Sequence, residues 1–399
     1  MKYKLICLIV VFLLFVSSFG YQAGAEELPD TYQSEAYVLM EASTGKVIAS
    51  KNADKSLRPA SITKIMTLLL IFEAIDTGKI RYEDKVVVSE HAASMGGSQV
   101  YLEPNETQTV NDMLKCISIA SANDASVAMA EHIASSEEQF VAMMNQKAAQ
   151  LGMNNTCFVN CYGLDTDGHY TTALDVAKMS RELITKHSDI FRYSTVWMDS
   201  ITHVTKKGSS EFGLSNTNKL LKSYSGITGL KTGSTGLAKY CLSATARRDN
   251  MDMIAVVMAA PDTKTRFQEA ASLLNYGFAN CTLYQHAAKE VPVPDIPLTG
   301  GVLEKVQVRA KENFSFVCTH GEDISQITYE IKTNEQCEAP VAFGQALGEI
   351  RYFYQGNEIG LVELTAVQNY EKAGFGDIII KTLKGFFLNG NTQMPQQEL

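Results

Sequence analysis

The sequence predicts an α+β domain, in which helices pack on an antiparallel sheet, followed by a small all-β domain and an amphipathic helix. Three observations support this fold class. Strand-like runs stand at both ends of the first domain with helical runs between them, so the terminal strands can share one sheet. Short alternating apolar and polar runs fill residues 303–364. Apolar residues then recur at three- and four-residue spacing near the C-terminus.

Composition and charge exclude some classes of function. The 399 residues carry a formal net charge of −9 and no dense run of Lys or Arg, so no nucleic-acid partner is expected. The 7 histidines and the cysteines lack metal-ligand spacing. We therefore predict no metal and no organic cofactor. Most thiols are expected to be free, and Cys318 with Cys337 is the one pair considered for a bridge.

The N-terminal segment, residues 1–25, has the features of an export signal. Lys2 and Lys4 precede an apolar run over residues 5–16, and Ala23-Gly24-Ala25 forms a small-residue cleavage site. We predict that the segment is removed and that the protein is exported. A single uncleaved transmembrane helix is the alternative interpretation.

Blocks of strands and helices follow in the predicted first domain, residues 26–286. Glu35 to Met40 and Val47 to Ser50 are typical of a hairpin, and an apolar helix follows Arg58-Pro59 and ends at Gly78. Helical patterns dominate the centre, and two strands joined by a tight turn precede a last helix. The ranges are 113–119, 125–133, 137–150 and 172–183 for the helices, 240–247 and 251–259 for the strands, and 266–278 for the last helix.

A change of composition separates the first domain from the next. Residues 288–301 contain three prolines among valines and acidic residues, which is typical of a linker. The runs that follow alternate without a helical period. We therefore predict a β-rich domain over residues 287–366.

The predicted tail, residues 367–399, contains an amphipathic helix with Asp377, Lys381 and Lys384 opposite its apolar face. The helix is too short to span a bilayer, so we expect it to lie in a membrane interface with its lysines toward anionic lipid. A helix docked on the β-rich domain is the alternative. The apolar face consists of Phe375, Ile378, Ile379, Leu383, Phe386 and Phe387.

A hydroxyl and an amine, Ser61 and Lys64, stand three residues apart near the start of the long apolar helix. Residues at i and i+3 lie about a turn apart on one helix face. A serine is a poor nucleophile until a base takes its proton, and a lysine can be that base only if its pKa is lowered. Ser43 and Lys46 repeat this spacing, but Gly45 and flanking strands place them in a turn, where no helix aligns the side chains.

Two further motifs follow along the chain. Ser121-Ala122-Asn123 interrupts two helical patterns, and Lys231-Thr232-Gly233 ends a predicted strand. Each triplet alone carries little information. In this order, and set in a helix, an inter-helix loop and a strand, the three motifs match the pattern of serine enzymes that recognise penicillin.

With these motifs the chain resembles the D-alanyl-D-alanine carboxypeptidases, the low-molecular-mass penicillin-binding proteins of serine peptidase family S11. The segments Gly168 to Ala173 and Gly229 to Ser234 add to the resemblance. It implies a penicillin-binding/β-lactamase-like catalytic domain with a helical subdomain, and a location at the outer face of the cytoplasmic membrane. The implied partners are peptidoglycan stem peptides ending in D-Ala-D-Ala, β-lactam antibiotics and the membrane surface.

Acyl transfer suggests a role for each catalytic residue. Ser61 would attack the carbonyl between the two terminal D-alanines, and Lys64 would be the base, its pKa lowered by burial and by the second cation, Lys231. Ser121 would relay a proton to the leaving amine. Water would then hydrolyse the acyl-enzyme.

The remaining motif residues suit substrate binding. Asn123 would bond the substrate backbone, while Lys231 and Thr232 would hold its terminal carboxylate. Gly233 would let the substrate approach the strand edge without a Cβ in the way. The resemblance implies an oxyanion hole from the N–H groups of Ser61 and Ser234.

Some features depart from the family pattern. The middle motif has Ala122 where Gly or Asp is more usual, and Ser234 stands where some relatives have histidine. An arginine found in some relatives is missing from residues 216–221. A β-lactamase is the less favoured alternative, because no E-x-x-L-N loop is present between the second and third motifs. A penicillin-binding sensor that does not turn over is the other alternative.

Overall fold

The structure, a computed structural model, describes residues 31–319 and 321–388. The predicted export signal lies outside the described residues, as do residues 389–399 of the predicted tail. The chain divides into two compact units, one ending at Thr282 and the other beginning at Leu283.

The first unit combines one large sheet, two small sheets and a set of helices. Its strands are β1 (Ala36–Glu41), β2 (Val47–Lys51), β3 (Lys85–Val87), β4 (Thr107–Thr109), β5 (Met198–Thr205), β6 (Gly208–Ser215), β7 (Ile227–Thr235), β8 (Lys239–Arg248) and β9 (Met251–Ala260). Its helices are α1 (Lys64–Asp76), α2 (Glu90–Ala93), α3 (Val110–Ser118), α4 (Asn123–Ala134), α5 (Glu137–Gln150), α6 (Ala173–Lys186), α7 (Phe191–Ser194), α8 (Leu220–Ser223) and α9 (Thr263–Asn280). Two 3₁₀ helices, Ala60–Thr63 and Ser188–Ile190, precede α1 and α7.

The large sheet has the order β2-β1-β9-β8-β7, and its neighbouring strands are antiparallel. β9 is apolar at nearly every position, which is typical of a strand covered on both faces. Ser243 of β8 contacts Ser180 of α6, whereas Met253 of β9 contacts Gly277 of α9. Met253 pairs with Ala246, three residues from Ser243, so the two side chains point to opposite faces. Helices α6 and α9 therefore cover opposite faces of the sheet.

Helix α1 runs through the centre of the first unit. Its residues 64–72 are buried, as expected for a helix that is apolar around its whole circumference. It contacts α3, α4, α5 and α6. Helices α3, α5 and α6 begin at the N-cap residues Thr109, Ser136 and Thr172, whose hydroxyls each accept a backbone N–H three residues further on. These helices enclose the apolar helix on the side of the sheet that α6 covers.

The second unit is built from strands that follow β10 (Cys281–His286). They are β11 (Ile296–Thr299), β12 (Lys305–Val306), β13 (Val308–Ala310), β14 (Phe314–Thr319), β15 (Ile327–Thr333), β16 (Cys337–Glu338), β17 (Ala346–Tyr354) and β18 (Asn357–Ala366). The largest sheet of the unit has the order β13-β18-β17-β15. Tyr352 stacks on Phe314 with a centroid distance of 3.7 Å inside its core. Short 3₁₀ helices lie at Ala288–Glu290 and Ile324–Gln326.

The predicted amphipathic helix corresponds to α10 (Phe375–Leu388). Phe375, Ile378, Ile380 and Leu383 are exposed, with 82% of the Phe375 surface accessible. In the described parts of the chain, no helix has the length and apolarity that crossing a bilayer requires.

The α+β class with an all-β second unit is confirmed, but two details differ from the prediction. Strands β5 and β6 were not predicted, because most of their side chains are exposed and give no apolar face to detect. The predicted linker contains β11, which pairs with β12 and β16. In agreement with the expectation for most thiols, Cys337 is free, with its Sγ 3.6 Å from the Pro297 carbonyl, so the bridge considered to Cys318 is not formed.

Candidate active site

Ser61 lies in the 3₁₀ helix immediately before α1. Ala60 has a φ of 49°, in the left-handed region, so the chain turns sharply just before the serine. Lys64 is the first residue of α1, and its Nζ lies 3.1 Å from Ser61 Oγ. The local geometry of this turn thus brings the hydroxyl into contact with the amine.

The Lys64 amine is surrounded by uncharged acceptors. Its Nζ donates to Asn123 Oδ1 at 2.6 Å and to the Tyr162 carbonyl at 2.7 Å, and the residue is fully buried. Burial lowers the pKa of Lys64 to about 7, against smaller opposing effects of Cys161 and Asp124. A sizeable fraction of this amine is therefore uncharged at neutral pH.

Ser121 and Lys231 form a second pair of hydroxyl and amine. Ser121 lies between α3 and α4 with a φ of 61°. The Lys231 Nζ donates to Ser121 Oγ at 2.8 Å and to the Thr232 carbonyl at 3.1 Å. Burial lowers the pKa of Lys231 well below its usual value, and the positive charges of Lys64 and Arg266 lower it further. Two buried amines thus stand in one site, each bonded to a serine.

Strand β7 forms one edge of the site. A Cβ on Gly233 would lie 2.9 Å from the backbone nitrogens of both Ser61 and Ile62, so only glycine fits there without displacing the 3₁₀ helix. Thr232 Oγ1 lies 2.6 Å from Thr217 Oγ1, and Ser234 is exposed. The strand therefore passes directly beside the N–H of the candidate nucleophile.

A loop that the motifs did not single out closes the other side. Gly163 has a φ of 94°, and a Cβ there would lie 1.9 Å from the Ala60 carbonyl oxygen. His169 lies in the same loop, with Nε2 2.9 Å from Thr63 Oγ1 and Nδ1 accepting the Val159 N–H at 2.9 Å. In the sequence, only the resemblance of its segments to the family drew attention to this loop. Thr63 and His169, which bond the loop to the nucleophile helix, are 106 positions apart, and no local pattern reveals such a contact.

Arg266 of α9 is another residue near the site that the sequence motifs did not identify. Its Nη1 donates to the Gly233 carbonyl at 3.1 Å and to the Cys241 carbonyl at 3.2 Å. Burial lowers the pKa of Arg266 to about 10. A guanidinium buried at the edge of β7 adds positive charge beside the third motif. Arg266 lies in the first turn of α9, where a single arginine gave no sequence signal for this contact.

The competing S-x-x-K copy has a structural explanation. Ser43 lies in the turn between β1 and β2, and its Oγ donates to Glu41 Oε1 at 2.8 Å. The Thr44 hydroxyl is bonded to the same carboxylate. This serine is therefore engaged in a turn. Among the described residues, no group of three or more His, Cys, Asp and Glu side chains could hold a metal ion.

Comparison with known families identifies the chain. The family model described as "D-alanyl-D-alanine carboxypeptidase" (peptidase S11) matches residues 22–262, more than half of the sequence. The chain belongs to this family. A second model, described as the C-terminal domain of penicillin-binding protein 5, matches residues 283–372. The family is one of hydrolases, so this chain is a hydrolase of the D-alanyl-D-alanine carboxypeptidase type.

Individual relatives agree with this assignment along most of the chain. The D-alanyl-D-alanine carboxypeptidase DacF of Bacillus subtilis is 42% identical over 92% of this chain and 93% of its own length. DacC of Escherichia coli is 33% identical over 86% of this chain and 85% of its own length. The crystal structure of penicillin binding protein 5 from Haemophilus influenzae has a TM-score of 0.73 at 29% identity, covering 86% of this chain and 99% of that one.

Proposed function

We propose that this chain is a serine-type D-Ala-D-Ala carboxypeptidase, which removes the terminal D-alanine from peptidoglycan stem peptides through an acyl-enzyme on Ser61. The observation that carries the proposal is the contact of the Ser61 hydroxyl with a fully buried amine whose pKa is lowered to about 7. Family membership supports the class of substrate, and the geometry of the site supports the role proposed for each residue.

Lys64 acts as the general base in this proposal. A neutral amine has two N–H donors and one lone pair in a tetrahedral arrangement. Asn123 Oδ1 and the Tyr162 carbonyl can accept the two N–H bonds, which leaves the lone pair for the Ser61 hydroxyl proton. The hydroxyl can thus lose its proton as Oγ attacks the carbonyl carbon between the two D-alanines.

Ser121 and Lys231 serve the leaving group and the substrate carboxylate. The Lys231 amine at 2.8 Å from Ser121 Oγ can supply a proton, which Ser121 passes to the nitrogen of the departing D-alanine. In its protonated form, the same amine suits the terminal carboxylate of the substrate, together with the Thr232 hydroxyl. Arg266, buried beside β7, adds to the positive potential there.

The oxyanion is stabilised by backbone donors. The N–H of Ser61 lies at the N-terminal end of the helical segment, close to Gly233, and the N–H of Ser234 follows on the strand. One such donor contributes roughly 3–4 kcal/mol to transition-state stabilisation in other enzymes. The Asn123 amide, which holds Lys64 and the Gly96 carbonyl, retains one N–H and one lone pair for the substrate backbone.

Export and anchoring belong to the same proposal. Residues 1–25 would direct the chain across the membrane and then be removed. Residues 26–286 would form the catalytic domain and residues 287–366 the β-rich domain. The exposed apolar side chains of α10 support peripheral attachment of the tail, residues 367–399, to the outer face of the cytoplasmic membrane.

The proposal is tested by incubating the purified protein, without its tail, with a peptide ending in D-Ala-D-Ala and measuring free D-alanine. Release is expected, and Ser61→Ala should abolish both release and covalent labelling by a fluorescent penicillin. Stoichiometric labelling of Ser61 without D-alanine release would contradict the proposal and leave a penicillin-binding sensor. Rapid loss of the label with hydrolysed penicillin would point to a β-lactamase.

A further inference from the structure

The segment of residues 96–102 crosses one side of the site without regular secondary structure. Val100 and Leu102 are buried, and buried backbone N–H groups need acceptors. Both donate to Asp124 Oδ2, at 3.1 Å each, and the Ala125 N–H donates to Asp124 Oδ1 at 2.9 Å. Asp124 is completely buried. Its carboxylate therefore holds this segment in place by accepting hydrogen bonds from the backbone N–H groups of the segment.

The anchored segment fixes the orientation of Asn123. The Asn123 backbone N–H donates to the Ser98 carbonyl at 2.7 Å, and its Nδ2 donates to the Gly96 carbonyl at 2.7 Å. Because Nδ2 is held by Gly96, Oδ1 must face the opposite way, where it accepts from Lys64 at 2.6 Å. An amide turned the other way would place N–H groups against the amine.

We propose that Asp124 is a positioning residue for the proton transfer: its carboxylate holds residues 96–102 against Asn123 and so fixes the Asn123 amide against Lys64. This inference rests on the proposed role of Lys64 as the base. The Asp124 carboxylate accepts from the backbone of Val100, Leu102 and Ala125 and not from Ser61, so it acts through Asn123 and through its charge.

The charge of Asp124 reaches the base across the site. The negative charge of Asp124 opposes the effect of burial on the pKa of Lys64. Burial raises the pKa of Asp124 itself, while its backbone donors favour the ionised form. Other titratable groups lie near this pair: the charge of Lys64 lowers the pKa of Lys231 on β7, and the charge of Asp124 raises the pKa of Cys116 on α3. Removing the Asp124 charge should therefore lower the pKa of Lys64 further, because less then opposes the effect of burial.

The test compares the pH dependence of penicillin acylation in the full chain and in Asp124→Asn. The second-order rate constant is measured with a fluorescent penicillin from pH 5.5 to 9. In the variant we expect the acidic limb of the profile to move to lower pH. The plateau should fall by about tenfold, as loss of hydrogen bonds to a buried charged group implies. A lower plateau rate with the acidic limb at its original pH would overturn the proposal. A purely structural role would change the rate and leave the pH of the limb unchanged.

Glu106→Gln is the matched control for the loss of a buried acid. Glu106 is also buried and accepts the Glu103 N–H beside the same segment, but its other oxygen is bonded to Gln108 and His203 and not to residues 96–102. Its limb should coincide with that of the unaltered protein. A profile without an acidic limb in the unaltered protein would instead refute Lys64 as base, which separates failure of the proposed function from failure of this inference.

Gly97→Ala tests the positioning step without removing any charge, and it remains informative if Asp124→Asn does not fold. Gly97 has a φ of 79°, and a Cβ there would lie 2.9 Å from Asn123 Nδ2. We expect slower acylation with the limb in its original place. A folded Gly97→Ala protein that acylates at the normal rate would overturn the positioning role of the segment.

Discussion

At the scale of single residues, the site depends on an amine that is buried without a directly bonded counter-charge. Lys64 has two carbonyl oxygens and one hydroxyl around its Nζ. Carbonyl dipoles hold the amine in place without the strong preference for the charged form that a carboxylate would impose. This arrangement keeps the base strong enough to take a proton and still uncharged near neutral pH.

The pH profile of acylation follows from this environment. The pKa of Lys64 is lowered to about 7, so the amine is protonated and inactive below this pH and neutral above it. We expect the acylation rate of Ser61 by penicillin to rise through pH 7 and then level off. The measurement is the second-order rate constant of acylation at constant ionic strength across this range.

Lys64→Arg is the matched variant, because a guanidinium keeps the positive charge but does not give up its proton in proteins. We expect acylation to fall by about 10²–10⁴-fold, the usual contribution of a general base. Thermal unfolding of the variant checks that the fold survives. Acylation by Lys64→Arg at the rate of the unaltered protein would rule out Lys64 as the base.

At the scale of structural elements, the loop of residues 157–170 and the 3₁₀ helix before α1 fit each other by close backbone approach. Gly163 contacts the Ala60 carbonyl, and the neighbouring Tyr162 carbonyl accepts from Lys64. The conformation of one loop glycine is thus linked to the position of the nucleophile and of the base.

Gly163→Ala should therefore damage the site more than its size suggests. The Cβ would lie 1.9 Å from a backbone oxygen at a φ of 94°, so either the loop or the 3₁₀ helix must move. We expect a loss of about 1–3 kcal/mol in the free energy of unfolding, as for other overpacked sites, together with nearly complete loss of penicillin acylation. Urea unfolding and labelling with a fluorescent penicillin measure the two effects.

Gly168→Ala is the control in the same loop. Gly168 also has a positive φ, of 82°, but the nearest atom to its Cβ would be Val159 Cγ2 at 3.7 Å. Only the conformational cost of about 1–2 kcal/mol applies, and acylation should persist. Equal acylation in the two variants would show that the contact of Gly163 with Ala60 is not needed for the site.

At the scale of the whole molecule, the buried His169 links the catalytic unit's stability to pH. Its Nδ1 accepts the Val159 N–H, so the neutral ring carries its proton on Nε2, toward Thr63. Burial lowers the pKa of His169 to about 4 from its ordinary 6.5, and the charge of Arg58 adds to this effect. Between these pH values the unfolded chain binds a proton that the folded chain does not.

Stability should therefore be lost as the pH falls from 6.5 toward 4, with a contribution of order 1–3 kcal/mol from this histidine. His169→Gln removes the titration, so its free energy of unfolding should depend less steeply on pH in this window. Urea unfolding of both proteins at pH 7 and 4.5 gives the comparison, in which carboxylate titrations cancel. Equal pH dependence in the two proteins would contradict a neutral buried His169.

The proposed membrane attachment of the tail can be tested in the whole molecule. Deleting residues 374–399 removes α10, and we expect the truncated protein to keep its activity on a soluble peptide but to leave the membrane fraction. Flotation with vesicles of anionic lipid measures the difference directly. Replacing exposed Phe375 and Ile378 by Asp in the full chain should have the same effect. Truncated protein that still floats with vesicles would place the attachment elsewhere.

The sequence by itself determined the family, the order of the three motifs and the fold class. Apolar periodicity revealed α1, α5 and the strands β8 and β9, because burial of a repeating face leaves a repeating pattern. The two small hairpin strands β5 and β6 were missed because most of their side chains face solvent.

Only the tertiary structure decided what surrounds Ser61 and Lys64. The Tyr162 carbonyl, the contact of Gly163 with Ala60, the imidazole of His169 and the anchoring carboxylate of Asp124 come from distant or irregular segments. A backbone carbonyl can come from any residue type, so the sequence does not show which carbonyl will bind Lys64. Irregular loops have no repeating apolar pattern from which their structure could be predicted. The charge state of Lys64 depends on burial by all of these segments at once, and local sequence does not encode that sum.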